Sequence, residues 1–312
     1  MPPRYGSHPA TGSRPVLRRG VLAGLIGLAS VTPVTAALLR LPPLLDPAVP
    51  DHHPGKVIFV ELVTPDLAAA RRFYGGLFGW TFRDVPGDGP GYAEAWLGGR
   101  PVAGLVNRPV AAGEHRQPAW LSFIAAGDVD ATTHTALQNG AKLLSAPRDV
   151  PDIGRRSVLS DPQGAVFAVL GSSSGDPPDV LAAPGEWIWS SLITRDPDTG
   201  AAFYQTLFGY EVFELPADQG AEHLLLASDG YARASVNPLP ADQPGVHPHW
   251  LDFIRVDDAV KVAAQAVALG GRMLVGPRLD RHGGKVAVVA DPAGAPFGLL
   301  EWPDTESGEM PK

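Results

Sequence analysis

The chain has 312 residues, 45 % of them hydrophobic and 19 % charged, and its 33 Asp and Glu against 25 Lys and Arg leave a net charge of −8. That composition can bury real cores and lies outside the range of disordered chains, and an acidic balance without a basic run speaks against nucleic acid as a partner. Cysteine is absent, which excludes disulfides, thiolate metal sites and cysteine nucleophiles together.

In chain order, the first segment stands apart. No acidic residue precedes Asp46, and Arg18-Arg19 sits just ahead of an uncharged stretch, Gly20 to Leu39, rich in Leu, Ala, Gly and Val. Val34-Thr35-Ala36 then offers a small-residue cleavage site. Basic start, apolar middle and small exit describe an export signal over residues 1–40. The order Arg18-Arg19-Gly20-Val21-Leu22 is similar to a twin-arginine signal, which sends folded proteins across a bacterial inner membrane. Left uncleaved, the same stretch is long enough to anchor the protein, its one expected membrane contact. Pro-rich residues 41–56 read as a spacer.

Val57 to Thr64 is a short apolar run leading to Asp66, a helix N-cap. Ala70, Phe73, Tyr74 and Leu77 follow at helical spacing, and Gly79 sits where a C′ glycine belongs. Strands are expected at Ala93 to Leu97 and Pro101 to Asn107, turning at Gly98-Gly99. Trp120 to Ala125 reads as another strand, followed by a helix capped by Asp128 or Asp130 that stops near Gly140. Lys142 to Ser145 and Arg156 to Ser160 read as strands. Asp161-Pro-Gln-Gly164 has Asp, Pro and Gly where a type I turn wants them, and Ala165 to Leu170 closes the unit.

All of this then returns. Thr64-Pro-Asp66 and Phe73-Tyr-Gly-Gly-Leu-Phe-Gly79 reappear as Thr194-Arg-Asp196 and Phe203-Tyr-Gln-Thr-Leu-Phe-Gly209, an offset of 130 residues. Trp120 meets Trp250, Phe123 meets Phe253, Asn107 meets Asn237, and Asp161-Pro-Gln-Gly164 meets Asp291-Pro-Ala-Gly294. A single fixed-offset match is a duplicated domain rather than a solenoid. The expected organisation is one domain over 57–170, a Ser-, Gly- and Pro-rich linker over 171–185, a second domain over 186–302 and a tail over 303–312. Each copy repeats β-α-β-β-(β) twice.

A strand leading to a capped helix with Phe-Tyr-x-x-Leu-Phe-Gly, closed by Asp-Pro-x-Gly-x-x-Phe, resembles the vicinal oxygen chelate superfamily of glyoxalase I, bleomycin-resistance proteins and extradiol dioxygenases. The resemblance implies an α+β fold in which paired βαβββ modules form cup-shaped mixed sheets with helices on the outer face. It also implies four ligand positions for a divalent ion. Here these fall at Phe59, Gly104, Leu121 and Ala168 in the first copy, and at Trp189, Ala234, Leu251 and Gly298 in the second. None carries an oxygen or imidazole nitrogen for a metal, so no metal and no cofactor are expected.

With Leu62 and Leu192 packed on the helices, alternation turns Phe59 and Glu61, or Trp189 and Ser191, into the cups. Leu121 and Phe123, and His249, Leu251 and Phe253, follow by the same rule. Such a lining suits a small organic ligand. Glu61 is a candidate general base, since an apolar cup raises a carboxyl's proton affinity; otherwise it pairs with a nearby Arg or sits at the wet rim. His247 and His249 can share an ion, with Asp252 or His223 joining, or serve at the surface. Arg155-Arg156 and Arg281-His282 are expected at the cup rims. Trp120, Trp250, Phe73, Phe203, Phe167 and Phe297 read as core.

Three functions follow from this: an exported metal-free binding protein, a metal-independent lyase or isomerase using Glu61, or a fold whose cups have filled with side chains. Small residues at Gly104, Ala168, Ala234 and Gly298 argue for open cups. A glyoxalase-like enzyme with a relocated metal is a further alternative, and pairing is expected within the chain or with a second copy.

Overall fold

The structure, a computed structural model, describes residues 41–87, 91–109, 117–215, 223–240, 245–280 and 283–302. The export segment, the tail and Arg281-His282 lie outside the described residues. The described residues form one compact unit.

The first copy runs β1 (Val57–Thr64), α1 (Leu67–Phe78), β2 (Thr81–Val85), β3 (Tyr92–Leu97), β4 (Arg100–Asn107), β5 (Ala119–Ala125), α2 (Val129–Gln138), β6 (Lys142–Val150), β7 (Gly154–Ser160) and β8 (Val166–Ser172). The second runs β9 (Trp187–Thr194), α3 (Pro197–Phe208), β10 (Glu211–Leu215), β11 (His223–Ser228), β12 (Tyr231–Pro238), β13 (His249–Val256), α4 (Ala259–Ala268), β14 (Arg272–Leu279), β15 (Lys285–Ala290) and β16 (Pro296–Glu301). Each copy is one eight-stranded mixed sheet, ordered β2-β3-β4-β1-β5-β8-β7-β6 and β10-β11-β12-β9-β13-β16-β15-β14. Within a copy two βαβββ modules join through one antiparallel pair, β1 with β5 or β9 with β13.

The helices begin and end where the sequence marks them. Asp66 accepts the Ala69 amide at 2.9 Å and Asp128, not Asp130, caps α2. Gly79 and Gly209 end α1 and α3 in the left-handed conformation that glycine adopts without steric cost. The buried face of α1 is Ala70, Phe73, Tyr74 and Leu77. Strands β2 and β10 have no counterpart in the sequence reading. β2 is a mostly exposed edge strand, so it carries no burial alternation to betray it.

The two helical faces meet each other. One core joins Leu62, Phe73, Tyr74, Leu77 and Trp120 of the first copy to Ile254, Ala263, Val289 and Phe297 of the second. The other joins Ile124, Ala136 and Phe167 to Leu192, Phe203, Tyr204 and Trp250. The core residues read from the sequence are therefore core, but shared between copies rather than private to each.

The repeated motifs supply the polar stitching of this junction. Trp120 donates to the Tyr74 hydroxyl at 3.0 Å, and Tyr74 donates to Asp291 of the other copy at 3.3 Å. Trp250, Tyr204 and Asp161 repeat the relay in reverse, at 2.8 and 3.3 Å. Asp161 and Asp291 also each take three backbone amides of their own turn. Desolvation pushes both carboxyls above the usual range despite these bonds. The Asp-Pro-x-Gly turn and the Phe-Tyr pair thus serve assembly, not chemistry.

Residues 41–56 are not a loose spacer. Leu45 donates its amide to Ser174 Oγ, Val49 to the Ser174 carbonyl, and His53 to Asp176 Oδ2. Gly175, at φ +83°, lies so close to the Val49 carbonyl that a Cβ would overlap it, so only glycine admits the segment there. This strap is bound along its length to the stretch between the copies.

Candidate functional site

Each sheet leaves one face away from the helices, and alternation along the central strands lines it. In cup 1 this face carries Phe59, Glu61, Leu121, Phe123 and Ala168, with Tyr92 and Val158 beside them. In cup 2 it carries Trp189, Ser191, His249, Leu251, Phe253 and Gly298, with Ile193, Val288 and Trp302 around them. Phe59, Glu61, Leu121, Phe123, Trp189, Ser191, His249, Leu251 and Phe253 lie on the face that alternation assigns them, and of the small-residue family positions all but one lie there too.

The exception is Ala234. It packs in the shared core with Leu226 and Val236. In the first copy Glu61 pairs with Gly104, but in the second Ser191 pairs with Ser235. The Asp229-Gly230 turn falls one residue later than the Gly98-Gly99 turn in the 130-residue repeat. That one inserted residue flips every side chain of β12 to the opposite face. Ser235 is the true mate of Gly104.

Nor do the small residues leave space as the sequence reading supposed. A Cβ at Gly104 would overlap the Tyr92 hydroxyl, and one at Gly298 would overlap the Phe253 ring. Those rings already occupy the ground that the glycines vacate.

The cups differ in chemistry. In cup 1, Arg156 Nη1 lies 3.2 Å from Glu61 Oε2, with the two side chains 10 % and 7 % exposed. Arg156 also stands over the Phe123 ring. It lies inside the cup, whereas Arg155 lies outside and bonds Asp130 and Asp149. Glu61 is thus engaged by the Arg156 guanidinium rather than facing the cup alone. The Tyr92 hydroxyl is buried beside this pair, next to the Glu61 carboxylate, and burial pushes its proton affinity up. Above them sits the strap: Leu41, only 1 % exposed, packs with Tyr92, Phe123, Ile153, Ala168 and Leu170, and Leu44 lies against the same cluster.

Cup 2 has a buried floor of Ser191, Leu251 and Phe253 beneath a half-exposed rim of Ile188, Trp189, Ile193 and Val288. Its polar atoms form a directed chain. Ser235 Oγ accepts Trp189 Nε1 at 3.1 Å and Asn237 Nδ2 at 3.2 Å, and lies 2.7 Å from Ser191 Oγ. A hydroxyl has two lone pairs and one hydrogen. With both lone pairs of Ser235 taken, its hydrogen goes to Ser191, which keeps its own for a ligand.

His249 supplies the opposite polarity. Its Nδ1 lies 2.7 Å from the His247 carbonyl oxygen, which can only accept, so Nδ1 carries the proton. Burial lowers its proton affinity, only partly offset by that bond, so the ring stays neutral with Nε2 as an acceptor. His247 is exposed. Asp252 points away from the cup, where it takes hydroxyls from Ser190 at 2.6 Å and Ser122 of the first copy at 2.8 Å. The His247, His249 and Asp252 grouping expected from sequence is not brought together, and the His223 side chain lies outside the described residues. Sequence reasoning missed Ser235, Tyr92 and the strap leucines.

Two eight-stranded mixed sheets, each built from paired βαβββ modules, define the class of α+β proteins with tandem cup-shaped domains. The comparisons place the chain within it. Residues 56–169 match the model of the Glyoxalase/Bleomycin resistance protein/Dioxygenase superfamily, and residues 190–300 match that of a Glyoxalase-like domain. The chain belongs to this vicinal oxygen chelate superfamily, as two tandem domains.

It is 34 % identical over 255 residues to the "Putative glyoxylase CFP32" of Mycobacterium tuberculosis, spanning 80 % of this chain and 96 % of that protein. It is 33 % identical over 266 residues to the anthracycline biosynthesis protein DauV of Streptomyces sp. strain C5, spanning 80 % and 94 %. Among solved structures, the Mn(II)-bound glyoxalase of Novosphingobium aromaticivorans superposes with a TM-score of 0.53 at 18 % identity, over 81 % of this chain and 85 % of that one. A variant of homoprotocatechuate 2,3-dioxygenase from B. fuscum superposes with a TM-score of 0.56 at 16 % identity, over 84 % and 74 %. These structures share the fold.

The superfamily's ion does not fit the side chains found here. The four family positions hold Phe59, Gly104, Leu121 and Ala168 in cup 1, and Trp189, Ser235, Leu251 and Gly298 in cup 2. One neutral hydroxyl is no substitute for the imidazoles and carboxylates that hold such an ion. Among the described residues no three His, Asp or Glu side chains converge.

Proposed function

We propose that the protein binds a small, neutral, largely aromatic molecule in cup 2 without the superfamily's metal. The observation that carries this is the pairing of one directed donor, Ser191 Oγ–H, with one directed acceptor, His249 Nε2, in an otherwise apolar cup. Few polar groups at set positions on apolar walls are what orient an organic ligand. A ring bearing a carbonyl and a hydroxyl answers both groups. The anthracycline-biosynthesis relatives are consistent with an aromatic ligand. The Arg18-Arg19 segment supports export to the far side of an inner membrane as part of the same reading. Among the described residues no helix is long and apolar enough to cross a membrane.

Titration with 5-hydroxy-1-tetralone, followed by quenching of tryptophan fluorescence, tests the reading. Saturable binding is expected, weakened roughly tenfold by Ser191→Ala or by His249→Ala, since each removes a hydrogen bond of about 1–1.5 kcal/mol. Affinity should be flat at neutral pH. It should fall on acidification below the ordinary histidine value of about 6.5, where protonation removes the Nε2 lone pair. Absence of saturable binding, or binding indifferent to both substitutions, contradicts the proposal.

A further inference from the structure

Helices α2 and α4 hold matching places in the repeat yet present different surfaces. α2 packs on β6, β7 and β8, and α4 on β14, β15 and β16. Their inner faces are alike: Val129, Thr133 and Ala136 are buried in α2, and Ala259, Ala263 and Ala266 in α4. Their outer faces are not. α2 turns Asp130 and His134 to solvent beside Leu137, and Asp130 is held by the Arg155 guanidinium. At the 130-residue offset α4 carries Val260, Ala264 and Val267, and Lys285 stands where Arg155 stood. Val260 and Val267 are each 46 % exposed, and Ala264 between them is exposed as well. Residues at this spacing form one stripe along a helix. Leu269 and Met273, also exposed, continue the apolar surface past the helix end. An ion-paired helix face in one copy has thus become a bare apolar stripe in the other, and such a patch rimmed by polar groups marks an interaction surface.

The charges at the two ends of the stripe select its occupant. Asp257 and Asp258 stand just ahead of α4, and Arg272 stands just past its end, all three exposed. Asp258 caps the helix through the Lys261 amide. Among the described residues Asp257 and Arg272 have no ion-pair partner. Asp257 and Arg272 lie nearly equally far along the chain from Ala264. A second α4 laid antiparallel across the first, crossing at Ala264, therefore sets the acidic start of each helix against the Arg272 end of the other. Antiparallel packing also opposes the helix dipoles favourably, and the small side chains of Ala264 and Ala268 let the two axes approach closely. A parallel partner would set like charge against like, and an anionic lipid surface would meet Asp257 and Asp258 with its own sign.

We infer that the outer face of α4 is a self-association surface, where two copies of the chain pair antiparallel about a two-fold axis through Ala264. Each copy then contributes the same patch, as a two-fold interface requires. The contact between the halves of one chain uses the buried helix faces, so this surface is additional to it and independent of what either cup binds. One helix face falls short of the about 800 Å² per partner of a stable complex, so the pairing is reversible.

The test uses the full chain, which has no cysteine of its own. Ala264→Cys places one thiol on the proposed axis, where two copies come close enough for a disulfide. Mild oxidation should cross-link this variant into dimers, while His134→Cys, at the matching position of α2, should stay monomeric. Equal cross-linking of both, or none with Ala264→Cys, overturns the inference. Sedimentation velocity across micromolar concentrations then reads the charge order. Asp257→Arg alone and Arg272→Asp alone should each weaken association roughly tenfold, because like charges then face each other twice per dimer. The double variant should restore it, and failure of that rescue overturns the antiparallel order. A chain that stays monomeric and floats with phosphatidylglycerol vesicles would assign the stripe to a membrane and overturn the proposal.

Discussion

Arg156→Met should destabilise the fold by about 3–5 kcal/mol, the usual cost of stripping one partner from a buried ion pair. The variant would leave the Glu61 carboxyl, 7 % exposed, without its guanidinium partner beside Leu121 and the Tyr92 hydroxyl. Most of that loss is the stranded charge rather than the worth of the bond. The double variant Arg156→Met, Glu61→Gln should therefore recover stability to within about 1 kcal/mol of the original, because a neutral pair has little to desolvate. Urea unfolding of the singles and the double closes the cycle. A single substitution that costs under about 1 kcal/mol would mean that the pair is more solvated than its geometry shows.

Asp252 should make the protein less stable as pH rises from about 4 to 6. Burial pushes its carboxyl up to about 6, with the Ser190 and Ser122 hydroxyls pulling only weakly in the other direction. In an unfolded chain the same group titrates near 3.9. Between these values the native state holds the proton and the unfolded state has released it, so the favourable contribution is full below the lower value and is lost through the upper one. A shift of about two units corresponds to about 3 kcal/mol. Asp252→Asn keeps a side chain that can bond both serines and removes the charge. It should flatten this slope and leave the variant more stable than the original at pH 7, by up to that amount. Unfolding midpoints of both proteins across pH 4–8 provide the measurement, and parallel curves would refute the assignment.

Much of this architecture is legible in the residues because local physics and tertiary packing agree. Asp66 and Asp196 cap helices, Gly79 and Gly209 end them, and strict alternation sets Trp120 and Leu62 against Phe123 and Glu61. What escaped was of longer range. Pairing of Glu61 with an Arg was one reading of the sequence, but Glu61 and Arg156 are 95 residues apart, and no local pattern names the partner. The strap leucines sit in a Pro-rich stretch whose destination depends on Ser174 and Gly175, far along the chain. The register of β12 was within reach: Asp-Gly is a strong hairpin signal, and aligning Asp229-Gly230 with Gly98-Gly99 would have moved the cup position from Ala234 to Ser235. The glycines misled for a simple reason. A missing side chain at Gly104 or Gly298 reads as empty space until a neighbouring ring, Tyr92 or Phe253, is seen lying in it.

Purified protein, dialysed against a mild chelator, should be titrated by calorimetry with Mn²⁺, Zn²⁺, Ni²⁺ and Fe²⁺. Cups lined by Phe59, Leu121 and Ala168, and by Trp189, Leu251 and Gly298, should show no stoichiometric binding in the micromolar range. A tightly held ion at one equivalent, lost on His249→Ala, would contradict the metal-free cup and place a rebuilt metal centre in the second copy.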